Sequence, residues 1–206
     1  MNKNFKNMSE TREHIITTSL KLFLQKNFKE VTMKEIVDAA GLSKGAFYHY
    51  FESKEKVFEE VVKHFYNHFL ISDYSNFPKT SLKDFYKHYI KMLNAPNEFD
   101  SVEIDTNIFV FLSEASKKIP NFLEIHSAQR KKERWAWTKI IETAKRNKEI
   151  KTHIPNKDLA SMFLLLGDAT VMDTFSQKQG GDVLKTLRKN WEHLYGLIKA
   201  SKKQEH

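Results

Sequence analysis

The residues best equipped for chemistry sit together in "GLSKGAFYHYF", Gly41 to Phe51. Lys44, Tyr48, His49 and Tyr50 place an ammonium, two phenols and an imidazole within seven residues. These groups donate hydrogen bonds and neutralise anions, which suits contact with phosphate oxygens and base edges better than bond making. The sequence has no cysteine, so it offers no thiolate nucleophile, no disulfide framework and no cysteine-built zinc site. His64 and His68 are four apart, a spacing able to hold a metal on one helix face. The intervening residues carry no Glu placed as in a zinc protease. Neither a Ser/His/Asp set nor a phosphate-binding loop motif occurs, and the reading is that the chain is not an enzyme and carries no cofactor.

The elements that must position these residues are marked by helix caps. Thr32 stands three residues before Glu35, the spacing of a capping box, and Val31 and Ile36 flank it as a hydrophobic staple. This predicts a short helix through Ala39–Ala40, closed at Gly41, where a missing Cβ permits a left-handed turn. Ser43 then caps a further helix. A preceding helix is expected from near Ser9 or Thr11 to near Asn27, burying Ile16, Leu20, Phe23 and Leu24. Two short helices joined by a tight Gly-containing turn describe a helix-turn-helix. On the second of them Phe47 and Phe51, four apart, share an inward side. Gly45, Ala46 and His49 lie opposite, with Tyr48 and Tyr50 on the flanks. The small residues would let the helix approach a groove edge closely. The bland alternative for Tyr48 and His49, surface packing without a partner, stays open at this point.

The 206 residues include 34 Lys/Arg against 26 Asp/Glu, a formal charge of +8 that suggests an anionic partner. The excess is not concentrated at the motif. Residues 1–60 hold ten Lys/Arg and nine Asp/Glu, and "RKKER" at Arg130–Arg134 reads first as a solvated helix face. No apolar run reaches the length of a membrane span, and the N-terminus is not expected to be a secretory signal. The expected location is the cytoplasm. With only six Gly and four Pro, and apolar residues recurring at three and four, the fold class is all-α. "NIFVFL" at 107–112 is the one strand candidate. Boundaries are expected near 72–81, 94–101, 117–121, 152–158 and 176–182.

The stretch from Thr11 to Val62, and above all "TMKEIVDAAGLSKGAFYHYFESKE", resembles the N-terminal domain of TetR/AcrR-family transcriptional regulators. The resemblance covers about a quarter of the chain. It implies phosphate contacts from Thr32, Tyr48 and Lys54. It also implies groove contacts around Lys44, Gly45, Ala46 and His49, with Lys34 and Tyr50 at the periphery. Ala46 stands where many relatives have Thr, which favours apolar contact with a thymine methyl. The implied architecture is a three-helix DNA-binding domain over 1–56 and a helical dimerisation and effector domain over 57–206, about nine helices in all. The implied function is a homodimeric, ligand-responsive repressor of a pseudo-palindromic operator of double-stranded DNA, with a small-molecule effector and no membrane partner. A DNA-binding protein without a ligand, and a helical metal-dependent enzyme, are the competing readings.

Pattern alone must place the C-terminal sites. Long helices near 157–176 and 182–200 carry apolar stripes, and Leu159, Leu166, Leu187, Trp191, Leu194 and Ile198 are the expected dimer interface. Gly167 would allow close helix approach. Phe109, Phe111, His126, Trp135, Phe163, Asp168 and Met172 are the expected pocket, His126 and Asp168 orienting the ligand. Trp135 and Trp137, two apart on a helix, cannot easily face one cavity.

Overall fold

The computed structural model describes residues 3–68, 74–94, 107–176 and 182–200. Among these, nine α-helices follow one another: α1 (Lys3–Gln25), α2 (Met33–Ala39), α3 (Lys44–Tyr48), α4 (Lys54–His68), α5 (Leu82–Leu93), α6 (Asn107–Lys118), α7 (Phe122–Arg146), α8 (Asn156–Ser176) and α9 (Val183–Ile198). Among the described residues, β-pairing is limited to an isolated antiparallel bridge between Ile150 and Lys199. "NIFVFL", the one strand candidate, is helical and lies within α6. α1 starts at Lys3, about six residues before the expected start. Most of the segments 94–101 and 176–182, expected as boundaries, lies outside the described residues, as does the side chain of His68.

The chain forms two compact units. One holds residues 1–70 and 96–125, the other 71–95 and 126–206. In the first, α4 packs along α1, and α6 joins both. Its core is aromatic: Phe58 lies 4.9 Å from Phe23, 5.0 Å from Phe28 and 5.4 Å from Phe111, all in edge-on geometry. Such pairs add about 0.5–1.5 kcal/mol each beyond area burial. Phe28 is also a polar junction. Its N–H donates to Glu114 Oε2 at 2.6 Å, and the ammoniums of Lys54 and Lys118 sit 4.4 and 4.1 Å from its ring.

In the second unit Trp137, Phe163 and Trp191 meet at the centre. Trp137 stacks on Phe163 at 5.1 Å and meets Trp191 edge-on at 5.0 Å. Trp191 Nε1 donates to the Phe163 carbonyl at 2.8 Å. Gly167 permits this approach, since a Cβ there would stand 3.3 Å from Trp191 Cζ2. Glu149 organises the edge of the unit. Its carboxylate accepts from the backbone N–H of Leu82 and Lys83 and from the Ser81 hydroxyl at the start of α5, and from the Tyr195 hydroxyl. It therefore satisfies donors that a helix N-terminus otherwise leaves unpaired.

The expected interface stripe is in fact this unit's own core. Leu159, Leu187, Trp191, Leu194 and Ile198 are buried, and Leu166 packs half-buried against the same cluster. An amphipathic stripe reports that a face is covered, and here α5, α7, α8 and α9 cover one another.

Candidate nucleic-acid interface

The capping box is formed in full. Thr32 Oγ1 accepts from the Glu35 N–H at 3.2 Å, and the Thr32 N–H and hydroxyl donate to Glu35 Oε2 at 2.8 and 2.9 Å. Lys26 Nζ donates to the other oxygen at 2.6 Å. The Lys26 hydrogen bond first, and those from Thr32 second, hold the Glu35 carboxyl down to about 2. Its folded value lies below the ordinary value of about 4.3, so its contribution is present above that value and fades as pH falls toward 2. A carboxyl titration followed by NMR should show Glu35 ionising near 2. Thr32→Ala should release the box and cost about 1 kcal/mol in thermal unfolding.

α2 ends as the sequence suggests. Gly41 adopts φ +66°, a left-handed conformation that disfavours any residue with a Cβ, and turns the chain into Leu42 and Ser43. Ser43 Oγ accepts from the Ala46 N–H at 3.2 Å, starting the five-residue α3. The two sides of α3 separate as expected. Phe47 and Phe51 are 0% and 3% exposed, whereas Tyr48 is 43% exposed and Lys44, Gly45 and His49 are also exposed. Ala46 and Tyr50 are half-buried, and Thr32 and Lys34 lie exposed at the start of α2. Tyr48, His49 and Tyr50 also line a groove of about 480 Å³ with Arg12, Lys56 and Lys63.

Lys54 is placed differently from the expected phosphate contact. Its ammonium donates to the carbonyls of Phe28 and Val31 at 2.8 and 2.7 Å and lies over the Phe28 ring. Two of its three donors therefore tie the start of α4 to the loop before α2. Lys54→Met should leave two part-buried carbonyls without this partner and lower stability by about 1.5–3 kcal/mol, read as a fall in the urea midpoint.

Arg12 was not singled out by sequence. Its guanidinium sits 5.2 Å from the Phe51 ring and pairs with Glu60, linking α1 and α4 to the end of the recognition segment. Nothing local marks it, because both partners are about forty or more residues away.

The expected pocket residues are not gathered. Phe109 and Phe111 belong to the first unit, where Phe111 is buried against Phe58 and Phe65 at 5.4 Å. Phe109 instead lines an open hollow of about 740 Å³ with Val110, Lys29, Lys117 and Lys118. In the second unit Phe163 is core, while His126, Trp135, Asp168 and Met172 are exposed. Trp135 and Trp137 do face apart, at 65% and 0% exposure.

A capped α2, a left-handed glycine turn and an α3 with one buried and one open side define a helix-turn-helix protein. Residues 15–61 match the family described as bacterial regulatory proteins, TetR family. Over 173 residues the chain is 23% identical to the helix-turn-helix transcriptional repressor KstR2 of Mycolicibacterium smegmatis, covering 82% of this chain and 80% of that protein. Over 48 residues it is 52% identical to the helix-turn-helix transcriptional regulator YerO of Bacillus subtilis. That match takes in 23% of this chain and only 17% of YerO's length. The crystal structure of reduced Escherichia coli NemR shares the fold, with a TM-score of 0.64 at 21% identity over 93% of this chain and all of that one. Residues 15–61 thus carry the helix-turn-helix domain of the TetR family of transcriptional regulators, and the chain as a whole is similar to members of that family. That is a family of regulators and not of enzymes.

Proposed function

We propose that the chain is a transcriptional regulator that binds operator DNA through residues 1–56, acting as a homodimeric, ligand-responsive repressor in the cytoplasm. The observation that carries this reading is the division of α3, with Phe47 and Phe51 buried while Lys44, Gly45, Tyr48 and His49 stay open. Lys44 supplies charge to phosphates, Gly45 and Ala46 leave room for a groove edge, and Tyr48 and His49 donate to phosphate or base. Thr32, Lys34 and Tyr50 are peripheral contacts, and Lys54 acts by holding α4 in register.

A five-residue helix reads few base pairs, so useful specificity calls for two copies on related half-sites. The surface proposed for the second copy is the open side of α8 and α9 within residues 57–206. Met162, Leu165 and Met172 are 42%, 62% and 55% exposed at spacings of three and seven, and Leu197 on α9 is 84% exposed. Exposed apolar residues repeating along one helix side mark a surface that association would cover. Among the described residues no helix is long and apolar enough to cross a membrane. Effector binding in the aromatic second unit would favour a dimer geometry with mis-spaced recognition helices, lowering operator affinity.

Footprinting on the chain's own upstream DNA tests the reading. Two protected half-sites about one helical turn apart are expected. A single unrepeated footprint with monomeric sedimentation would remove the dimer from the account.

A further inference from the structure

Tyr48, His49 and Tyr50, the ring side chains proposed to face DNA, lie between two buried anchors. Phe47 and Phe51 stand 6.1 Å apart, and the Tyr50 and Phe51 N–H groups both donate to the Phe47 carbonyl, at 2.9 and 3.3 Å. α3 itself stops at Tyr48. Beyond it, the seat of the Phe51 ring sets the course of the chain and so the direction of the side chains before it. That seat is shared with Arg12 of α1, whose guanidinium lies 5.2 Å from the Phe51 ring and donates to Glu60 Oε2 on α4. Burial raises the Glu60 carboxyl, but the hydrogen bonds from Arg12 and Lys63 outweigh it and hold the group below its ordinary range. The pair is therefore charged at neutral pH.

Arg12 lines the same groove as Tyr48, His49 and Tyr50, so a direct phosphate contact is the competing role. The charges beside it argue against that role. The groove carries Arg12, Lys56 and Lys63 against Glu52, Glu59 and Glu60. Lys56 pairs with Glu59 at 3.2 Å, Lys63 with both Glu59 and Glu60 at 2.9 Å, and Arg12 with Glu60. Three cations meet three carboxylates, and the flank offers phosphates no net positive charge. Phosphate neutralisation falls instead to cations such as the exposed Lys44.

We propose that Arg12 is a positioning residue of the DNA-reading surface: by engaging the Phe51 ring and the Glu60 carboxylate together, it fixes the direction of Tyr48, His49 and Tyr50 without touching DNA. The assignment rests on the operator-binding reading above and names what keeps that surface in register. A guanidinium suits the place, because its flat face can cover a ring while its edge donates to a carboxylate. The two side chains are 44% and 25% exposed, so their pairing adds little to global stability. Its effect falls on a short segment that cannot hold its own conformation.

The test measures the affinity of the full chain for its own upstream DNA and for unrelated DNA, in Arg12→Gln and Glu60→Ala. It is run well below the melting midpoint, with helix content checked by circular dichroism. Glu60→Ala separates the two roles by sign. It makes each copy more positive, which on charge alone would tighten binding to any DNA. Positioning predicts instead that each variant, with unchanged helix content, loses about tenfold of the preference for upstream over unrelated DNA, the effect of about one mismatched base pair. Arg12→Gln should keep the salt dependence of the unsubstituted chain, and the double variant should lose no more than Arg12→Gln alone. Weakening of both DNAs alike by Arg12→Gln, with a shallower salt dependence and with tightening by Glu60→Ala, would make Arg12 a phosphate ligand and overturn the proposal. A preference unchanged in both variants would overturn it as well, leaving the operator reading intact. No affinity of the unsubstituted chain for upstream DNA at low salt would sink the operator reading and this inference with it.

Discussion

Phe47→Ala is expected to cost about 3–5 kcal/mol and to remove DNA binding with it. The side chain is fully buried, 6.1 Å from the Phe51 ring, and its carbonyl accepts from both the Tyr50 and Phe51 N–H groups. A five-residue helix has almost no stability of its own, so tertiary packing must hold it, and Phe47 is its only buried residue. Losing that ring releases Lys44, Tyr48 and His49 from their common surface even if α1 and α4 survive. Urea unfolding followed by circular dichroism measures the loss, and a DNA titration measures the consequence. Phe47→Leu, which keeps most of the volume, should lose less than about 1.5 kcal/mol and retain binding. A loss below about 1 kcal/mol for the alanine variant would mean that something other than Phe47 holds α3 in place.

The second large effect is expected at Trp191, in the other unit. Trp191→Ala removes a ring that is 1% exposed and that meets Trp137 at 5.0 Å, Tyr89 at 5.3 Å and Tyr86 at 6.3 Å. The close seat at Gly167 was built for an indole, and alanine leaves a cavity that rigid helices α8 and α9 cannot close. About 3–5 kcal/mol should be lost. Trp191→Phe separates the terms, because it keeps a ring but forfeits the Nε1 bond to the Phe163 carbonyl, worth about 1 kcal/mol, along with part of the packing. Calorimetry should therefore show a clearly smaller fall for phenylalanine than for alanine. Equal falls would assign the stabilisation to the hydrogen bond and not to the ring.

What the sequence could and could not disclose follows the range of the interactions. Caps are local, so Thr32, Gly41 and Ser43 marked α2 and α3 to the residue, and α8 and α9 began within a residue of their expected starts. The two sides of α3 were legible because four-residue spacing and burial are tied by helix geometry. Gly167 was legible as a point of close approach for the same reason. Partners distant in sequence were not legible. The Lys54 ammonium looked like a phosphate ligand because nothing nearby reveals that the Phe28 and Val31 carbonyls, more than twenty residues earlier, would claim it. The stripe through Leu187, Trp191 and Leu194 was read as a dimer interface and is core of the second unit instead, because periodicity cannot tell a cover from the same chain from one supplied by a second copy. Phe109 and Phe111 show the same limit: two residues apart, they lie on different sides of α6, one half-buried and one in the core. Glu133 escaped notice because an acidic residue within "RKKER" reads as surface until Tyr89 and Arg130 are seen against it.

The most direct test of the central claim is a titration of the full chain onto its own upstream DNA with unrelated DNA as competitor, repeated for Lys44→Ala and Tyr48→Ala. The account predicts binding that survives the competitor, a weakening of about tenfold for each variant, and a salt dependence shallower by about one charge per copy for Lys44→Ala. No affinity at low salt, or equal affinity for unrelated DNA with neither variant impaired, would contradict it.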